Sequence, residues 1–203
     1  MASQSTAAPA LAGAWVDDGV GSGTGAGSLL VRTWREEFGA PRVHRYADVA
    51  GSGAMLLAEF NDRPSADGAG SPELLTDSDG LVRSFVHGKS NIPEGAAGLE
   101  ETSYLFVVRV FPPPEWIEPL RDWLHGEHFE RQVRTPGLIW ARGYEAVGEP
   151  FHFLNIWGIE HPDVPASDVY FEIRATPWFA EVEPAFAASE TRRNIYQRTP
   201  EGG

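Results

Sequence analysis

From Tyr104 to Arg198 the chain runs through its elements in an order that few folds accept. YLFVVRVF (104–111) is β-branched and aromatic and reads as a strand, stopped by Pro112-Pro113-Pro114. A helix is predicted from Glu115 to Val133, because Trp116, Ile117, Leu120, Trp123 and Leu124 fall on one arc of a 3.6-residue period; Pro136-Gly137 ends it. Leu138–Val147 and Phe151–Ile159 read as two strands joined by the turn Gly148-Glu149-Pro150. Ser167 or Asp168 caps a second helix, Val169–Ala188, which Thr176-Pro177-Trp178 and Pro184 should kink or break. Asn194–Arg198 is a short last strand. Strand, helix, strand, strand, helix, strand makes an antiparallel sheet with both helices on one face and the other face bare.

The first half repeats this order in worn form. Leu11–Val16, Arg42–Val49, Ala54–Phe60 and Phe85–Lys89 are the strands. Ser28–Phe38 is one helix, and a weak second helix precedes Phe85. Tyr46 and Tyr144 stand at matching places near the ends of the second strands. Residues 1–10 read as a disordered tail, 11–90 as a degenerate first copy, 91–103 as a linker and 104–198 as the second copy. The expected class is α+β: tandem ferredoxin-like β-α-β-β-α-β repeats whose bare faces pack into a barrel within one chain.

Charge and composition narrow the function. Sixteen Lys and Arg against 29 Asp and Glu give a net charge of −13, a field that repels nucleic acids and anionic membrane surfaces. No apolar run approaches a membrane span, and residues 1–31 lack the Lys or Arg of a signal peptide, so a cytoplasmic protein is expected. Cysteine is absent, which removes thiol nucleophiles, disulfides and thiolate metal sites. Lys89 is the single lysine and lies in a polar stretch, which leaves little room for Schiff-base chemistry. The glycine-alternating stretch Gly19–Gly27 lacks a following Gly-Lys-Ser/Thr and reads as a loop rather than a phosphate cradle.

Trp123-Leu-His-Gly-Glu127-His128, Thr135-Pro136-Gly137, Arg142-Gly-Tyr144 and Thr176-Pro177-Trp178 together resemble the pattern of EthD-like proteins, in the dimeric α+β barrel superfamily. The resemblance covers most of 104–198. It implies the barrel fold and a range of activities: cofactor-independent monooxygenases and cyclases of aromatic polyketide pathways, muconolactone-type isomerases and haem enzymes. Fold-level likeness does not choose among them.

Strand alternation places Leu138, Trp140, Arg142 and Tyr144 on one face of their strand, and Ile139, Ala141, Gly143 and Glu145 on the other. The small residues suit helix packing, so the first set is assigned to the barrel interior. In the first copy His44 and Tyr46 share a face, giving a cavity with Trp140, Arg142, Tyr144, Tyr46 and His44. Arg pairs with an enolate or carboxylate, Tyr and His move protons, and Trp stacks on a ring. The alternative is an amphipathic strand whose polar residues face water. His125 and His128 stand at i, i+3 but have no third ligand, so no metal is assigned; the resemblance favours His128 as a cavity residue. Asn155 is either a structural hub or a substrate contact; Trp123 and His152 complete the substrate-binding set. Trp116, Trp178 and Phe186 are expected to fill the core.

The leading reading is a cofactor-independent cyclase, dehydratase or isomerase acting on a hydrophobic oxygenated small molecule. His128 or His44 would be the base, Tyr144 and Tyr46 donors to a carbonyl oxygen, and Arg142 the enolate clamp. A cofactor-free monooxygenase uses the same groups. A non-catalytic small-molecule carrier is the third reading, and a haem protein with His128 or His152 as proximal ligand the last. The barrel is expected to be a monomer or a homodimer.

Overall fold

The computed structural model describes residues 10–17, 42–50, 53–60, 81–91, 101–146 and 151–199. The expected helix 28–38, loop 19–27 and turn 148–150, most of the loop and weak helix expected before Phe85, and most of the expected tail and linker fall outside them.

The eight strands are β1 (Ala10–Asp17), β2 (Arg42–Asp48), β3 (Gly53–Phe60), β4 (Leu81–Asn91), β5 (Tyr104–Phe111), β6 (Leu138–Ala146), β7 (Phe153–Ile159) and β8 (Glu190–Arg198). They close into one barrel in the order β1-β3-β2-β8-β5-β7-β6-β4, every pair antiparallel. Each half contributes four neighbours in the same internal order, β4-β1-β3-β2 and β8-β5-β7-β6. Two seams join them, β2 to β8 through Asp48↔Tyr196 and β4 to β6 through Phe85↔Ala146. The chain is thus an α+β protein of tandem ferredoxin-like units.

β5 explains why the second half was easy to read. Its sequence is apolar almost throughout because both its faces are covered. Leu105 and Val107 join Tyr46, Met55, Leu57, Trp140, Tyr144, Leu154, Ile156 and Tyr196 inside the barrel. Phe106, Val108 and Val110 join Leu120, Trp123, Phe129, Trp157 and Val182 in a second layer between sheet and helices.

The predicted helix 115–133 is continuous in space but mixed in type. A 3-10 turn at Pro114–Trp116 leads into α1 (Ile117–Trp123), a π turn (Leu124–His128) and α2 (Phe129–Gln132). Gly137, at φ 81°, takes the left-handed turn out of it, and a Cβ there would lie 2.8 Å from Val164. The break foreseen at Pro177 separates α3 (Asp168–Arg174) from α4 (Pro177–Ala188), whereas Pro184 is carried within α4. Ser167 and Thr176 cap the two helices by accepting from Tyr170 N–H and Phe179 N–H. β4 and β8 begin earlier than their sequences suggested.

One face assignment is corrected. The β6–β7 register slips between Leu138 and Trp140, so Ile139 is an extra residue. Leu138 therefore packs with the helices, while Ile139 packs against the barrel core beside Trp140. Beyond the bulge the alternation holds: Trp140 and Tyr144 point inward, and Ala141 outward.

Candidate functional site

On β7, Leu154 and Ile156 enter the barrel, and Phe153, Trp157 and Ile159 face the helices. Asn155 shares the helix-facing side by alternation and is 2% exposed. Its cross-strand neighbours are Val108 and Gly143, neither of which has a side chain able to hydrogen-bond. Asn155 Oδ1 and Trp157 Nε1, two residues apart on one face, are buried without a hydrogen-bond partner among the described residues. Leaving such a group unpaired costs about 1–3 kcal/mol, a cost that a bound molecule or an ordered water would remove.

His128 enters the same layer from above. The π turn closes with Phe129 N–H donating to Leu124 C=O, one residue longer than an α turn. This swings His128 inward to 5% exposure and leaves His125 half-buried. The His128 ring stacks on Trp123 at 4.2 Å and meets Trp157 edge-on at 5.8 Å. Burial, and secondarily the Arg174 charge, lower its pKa from 6.5 to about 3. The imidazole is therefore neutral at physiological pH.

Glu127 organises this corner. Its Oε2 accepts from Trp123 Nε1–H at 3.2 Å and from Thr176 Oγ1–H at 2.7 Å. A Cβ on Gly126 would lie 2.5 Å from the Trp178 ring. The motif around His128 and the Thr-Pro-Trp motif are thus packing partners. Trp178 is not in the core as expected; it lies over Gly126 and is 36% exposed.

The rest of the anticipated set lies on the opposite side of the sheet. Tyr46, Trp140 and Tyr144 meet in the barrel interior. Trp140 donates from Nε1 to Thr102 Oγ1 at 3.0 Å and needs Gly158 opposite, where a Cβ would fall 2.5 Å from its ring. The Arg142 guanidinium lies 5.0 Å over Trp140. His44, two residues before Tyr46 on β2, is 5% exposed; His152 is sealed and stacks on Phe111 at 4.4 Å. The expected single cavity therefore resolves into two groups: His128, Trp123 and Asn155 under the helices, and Trp140, Arg142, Tyr144, Tyr46 and His44 in the barrel. A strand separates its two faces by side-chain direction, and helix residues reach only the outer one.

Sequence reasoning quoted Glu127 in its motif and placed Trp157 on the Asn155 face without giving either a site role, and it missed Arg109. Trp157 was legible as the next residue on the Asn155 face. Arg109, 7% exposed, is the one charge inside the apolar run of β5 and shares the inward parity of Leu105 and Val107. Among the described residues no three His, Asp or Glu side chains converge as a metal cage does. The two histidines expected as haem ligands are both packed on rings, His128 between Trp123 and Trp157 and His152 against Phe111.

The fold and its two side-chain groups define a single-chain ferredoxin-like α+β barrel. No family model and no curated protein match the sequence. Solved structures do. An anthrone oxidase-like protein is similar with a TM-score of 0.62 and 9% identity, over 96% of this chain and 92% of the other. A ferredoxin-fold protein related to antibiotic biosynthesis monooxygenases, from Listeria monocytogenes, gives 0.53 and 15% over 96% of both. A haem-degrading enzyme from Listeria monocytogenes gives 0.52 and 12%, over 94% of this chain and 99% of the other. At such identities the likeness is one of fold. Among the described residues no helix is long and apolar enough to cross a membrane.

Proposed function

We propose that the chain is a cofactor-independent enzyme that oxidises a planar, hydroxylated aromatic compound of the anthrone class in the layer under its helices. The carrying observation is the neutral, buried His128 in one layer with Asn155 Oδ1 and Trp157 Nε1, neither of which has a hydrogen-bond partner among the described residues. His128 takes a proton from the substrate. The resulting ion pair compensates the burial that otherwise disfavours imidazolium. Trp157 Nε1–H donates to the developing oxyanion, Asn155 Oδ1 accepts from a phenol hydroxyl, and Trp123 supports the imidazole by stacking. The substrate carbanion reduces dioxygen itself: a ring methylene and O2 become a ring carbonyl and water.

The names of the neighbours support oxidation. The EthD-like resemblance and the cyclase or isomerase reading draw on the same base, and oxygen separates them. The experiment is an oxygen electrode with a hydroxyanthrone, measured above the rate without protein. One O2 is consumed per carbonyl formed, and His128→Ala lowers turnover by about 100-fold or more. Conversion without oxygen uptake makes the protein a cyclase or isomerase; intact substrate held tightly makes it a carrier.

We further propose that Arg142, Tyr144, Tyr46 and His44 support the barrel and do not touch this substrate. Tyr144→Phe then keeps most of the activity. If it abolishes turnover while His128→Ala spares it, the site is in the barrel.

A further inference from the structure

Helix α3 sets two polar side chains against the His128 layer. Tyr170 and Arg174 stand one turn apart and share a face. Tyr170 is buried and meets Phe106 edge-on at 6.1 Å, and Phe106 stacks on Trp157 at 5.4 Å. The Arg174 guanidinium lies 4.6 Å over the Phe179 ring and 5.6 Å over Phe171. Phe179 in turn packs on Trp123 at 5.5 Å, and Trp123 is the ring stacked on His128.

The charge of Arg174 acts on both titratable groups of this layer. After burial it is the second cause of the low His128 pKa. Burial raises the Tyr170 hydroxyl to about 12, and Arg174, with Arg193 on β8, opposes that rise. Arg174 is itself half-buried, in a chain of net charge −13. Arg121, Arg134 and Arg192 each pair with a glutamate, but no carboxylate among the described residues pairs with Arg174. Stacking on rings occupies the faces of a guanidinium and leaves its N–H edge for a planar acceptor.

We propose that Arg174 is a substrate-binding residue that holds a carboxylate on the edge of the aromatic substrate, so that the layer takes an acid in preference to a neutral compound. The inference rests on the reading that the His128 layer is the substrate site. A bound carboxylate also offsets the cation that opposes imidazolium, which makes His128 a better base once the acid is in place.

The test needs no turnover. Quenching of indole fluorescence is titrated with anthraquinone-2-carboxylate and with neutral 2-methylanthraquinone, both of the oxidised product class. The native protein binds the carboxylate more tightly, on the order of ten-fold or more. Arg174→Gln removes most of that preference and leaves the affinity for the neutral probe unchanged, which also shows that the variant is folded. Arg174→Lys keeps the charge without the fork and retains part of the preference. Arg192→Gln makes the same change of net charge at an arginine already paired with Glu190, and retains all of it. Equal affinity of the native protein for the two probes overturns the proposal and leaves the layer as the site. A preference that survives Arg174→Gln, or that Arg192→Gln removes equally, also overturns it. Failure of both probes to bind overturns the proposal together with the reading beneath it.

Discussion

Asn155 occupies a position where an apolar side chain of similar size would serve stability better. Its Oδ1 is buried without a partner among the described residues, between Val108 and Gly143. Asn155→Leu is expected to leave the fold equally stable or more stable by about 1–2 kcal/mol while turnover falls, a split read by urea denaturation beside the oxygen assay. His128 adds a pH dependence. Unfolded, it titrates near 6.5; folded, near 3. Between those values the unfolded chain binds a proton that the folded chain refuses, so stability drops as pH falls. The loss is up to about 1.4 kcal/mol per pH unit. Urea midpoints followed from about pH 7.5 down to about pH 4.5 will show this slope, and His128→Phe will flatten it relative to the native chain. Alternation alone placed Asn155 and Trp157 on one face. Which face meets the helices depends on what packs there, and that information lies in other parts of the chain.

Two irregular turns decide the geometry of the elements. The π turn Leu124–His128 inserts one residue into the helix, and one residue is about 100° of rotation. Deleting His125 is expected to restore a plain α-helix in which His128 follows Trp123 at i, i+4 and keeps its face, so helical circular dichroism and the His128–Trp123 stack both survive. The bulge at Ile139 does the corresponding work on β6. Neither was legible: periodicity reports the average repeat of a segment, and a single inserted residue leaves its composition unchanged. The strand and helix order of 104–198 was legible because β5 and β7 are covered on both faces, and Pro112–Pro114, Pro136-Gly137 and Pro177 mark the ends. Helix and sheet are tied by Arg121, whose Nε and Nη2 donate to the two Glu145 carboxylate oxygens at 2.6 and 2.8 Å. The same arginine also pairs with Glu118, and these acids hold its pKa above the ordinary value. Glu145→Gln is expected to destabilise by about 1–3 kcal/mol in urea denaturation, because a charge-assisted fork becomes a single neutral contact.

At the scale of the whole molecule, the tandem order let the sequence anticipate a barrel closed by one chain. The two seams, β2 with β8 and β4 with β6, are where the halves meet. A single chain therefore completes the sheet, and native mass spectrometry is expected to give 22.2 kDa at all dilutions. A mass of twice that value at low concentration would mean that barrels pair. Closure has a consequence for company as well as for folding. Each of the eight strands has a hydrogen-bonded neighbour on both sides, and the ladder is shortest at the β2–β8 seam, where three residue pairs meet. Strand addition and edge-to-edge aggregation are thereby confined to that seam. Among the described residues the large apolar side chains left exposed on the helices are Val169, Phe171 and Trp178.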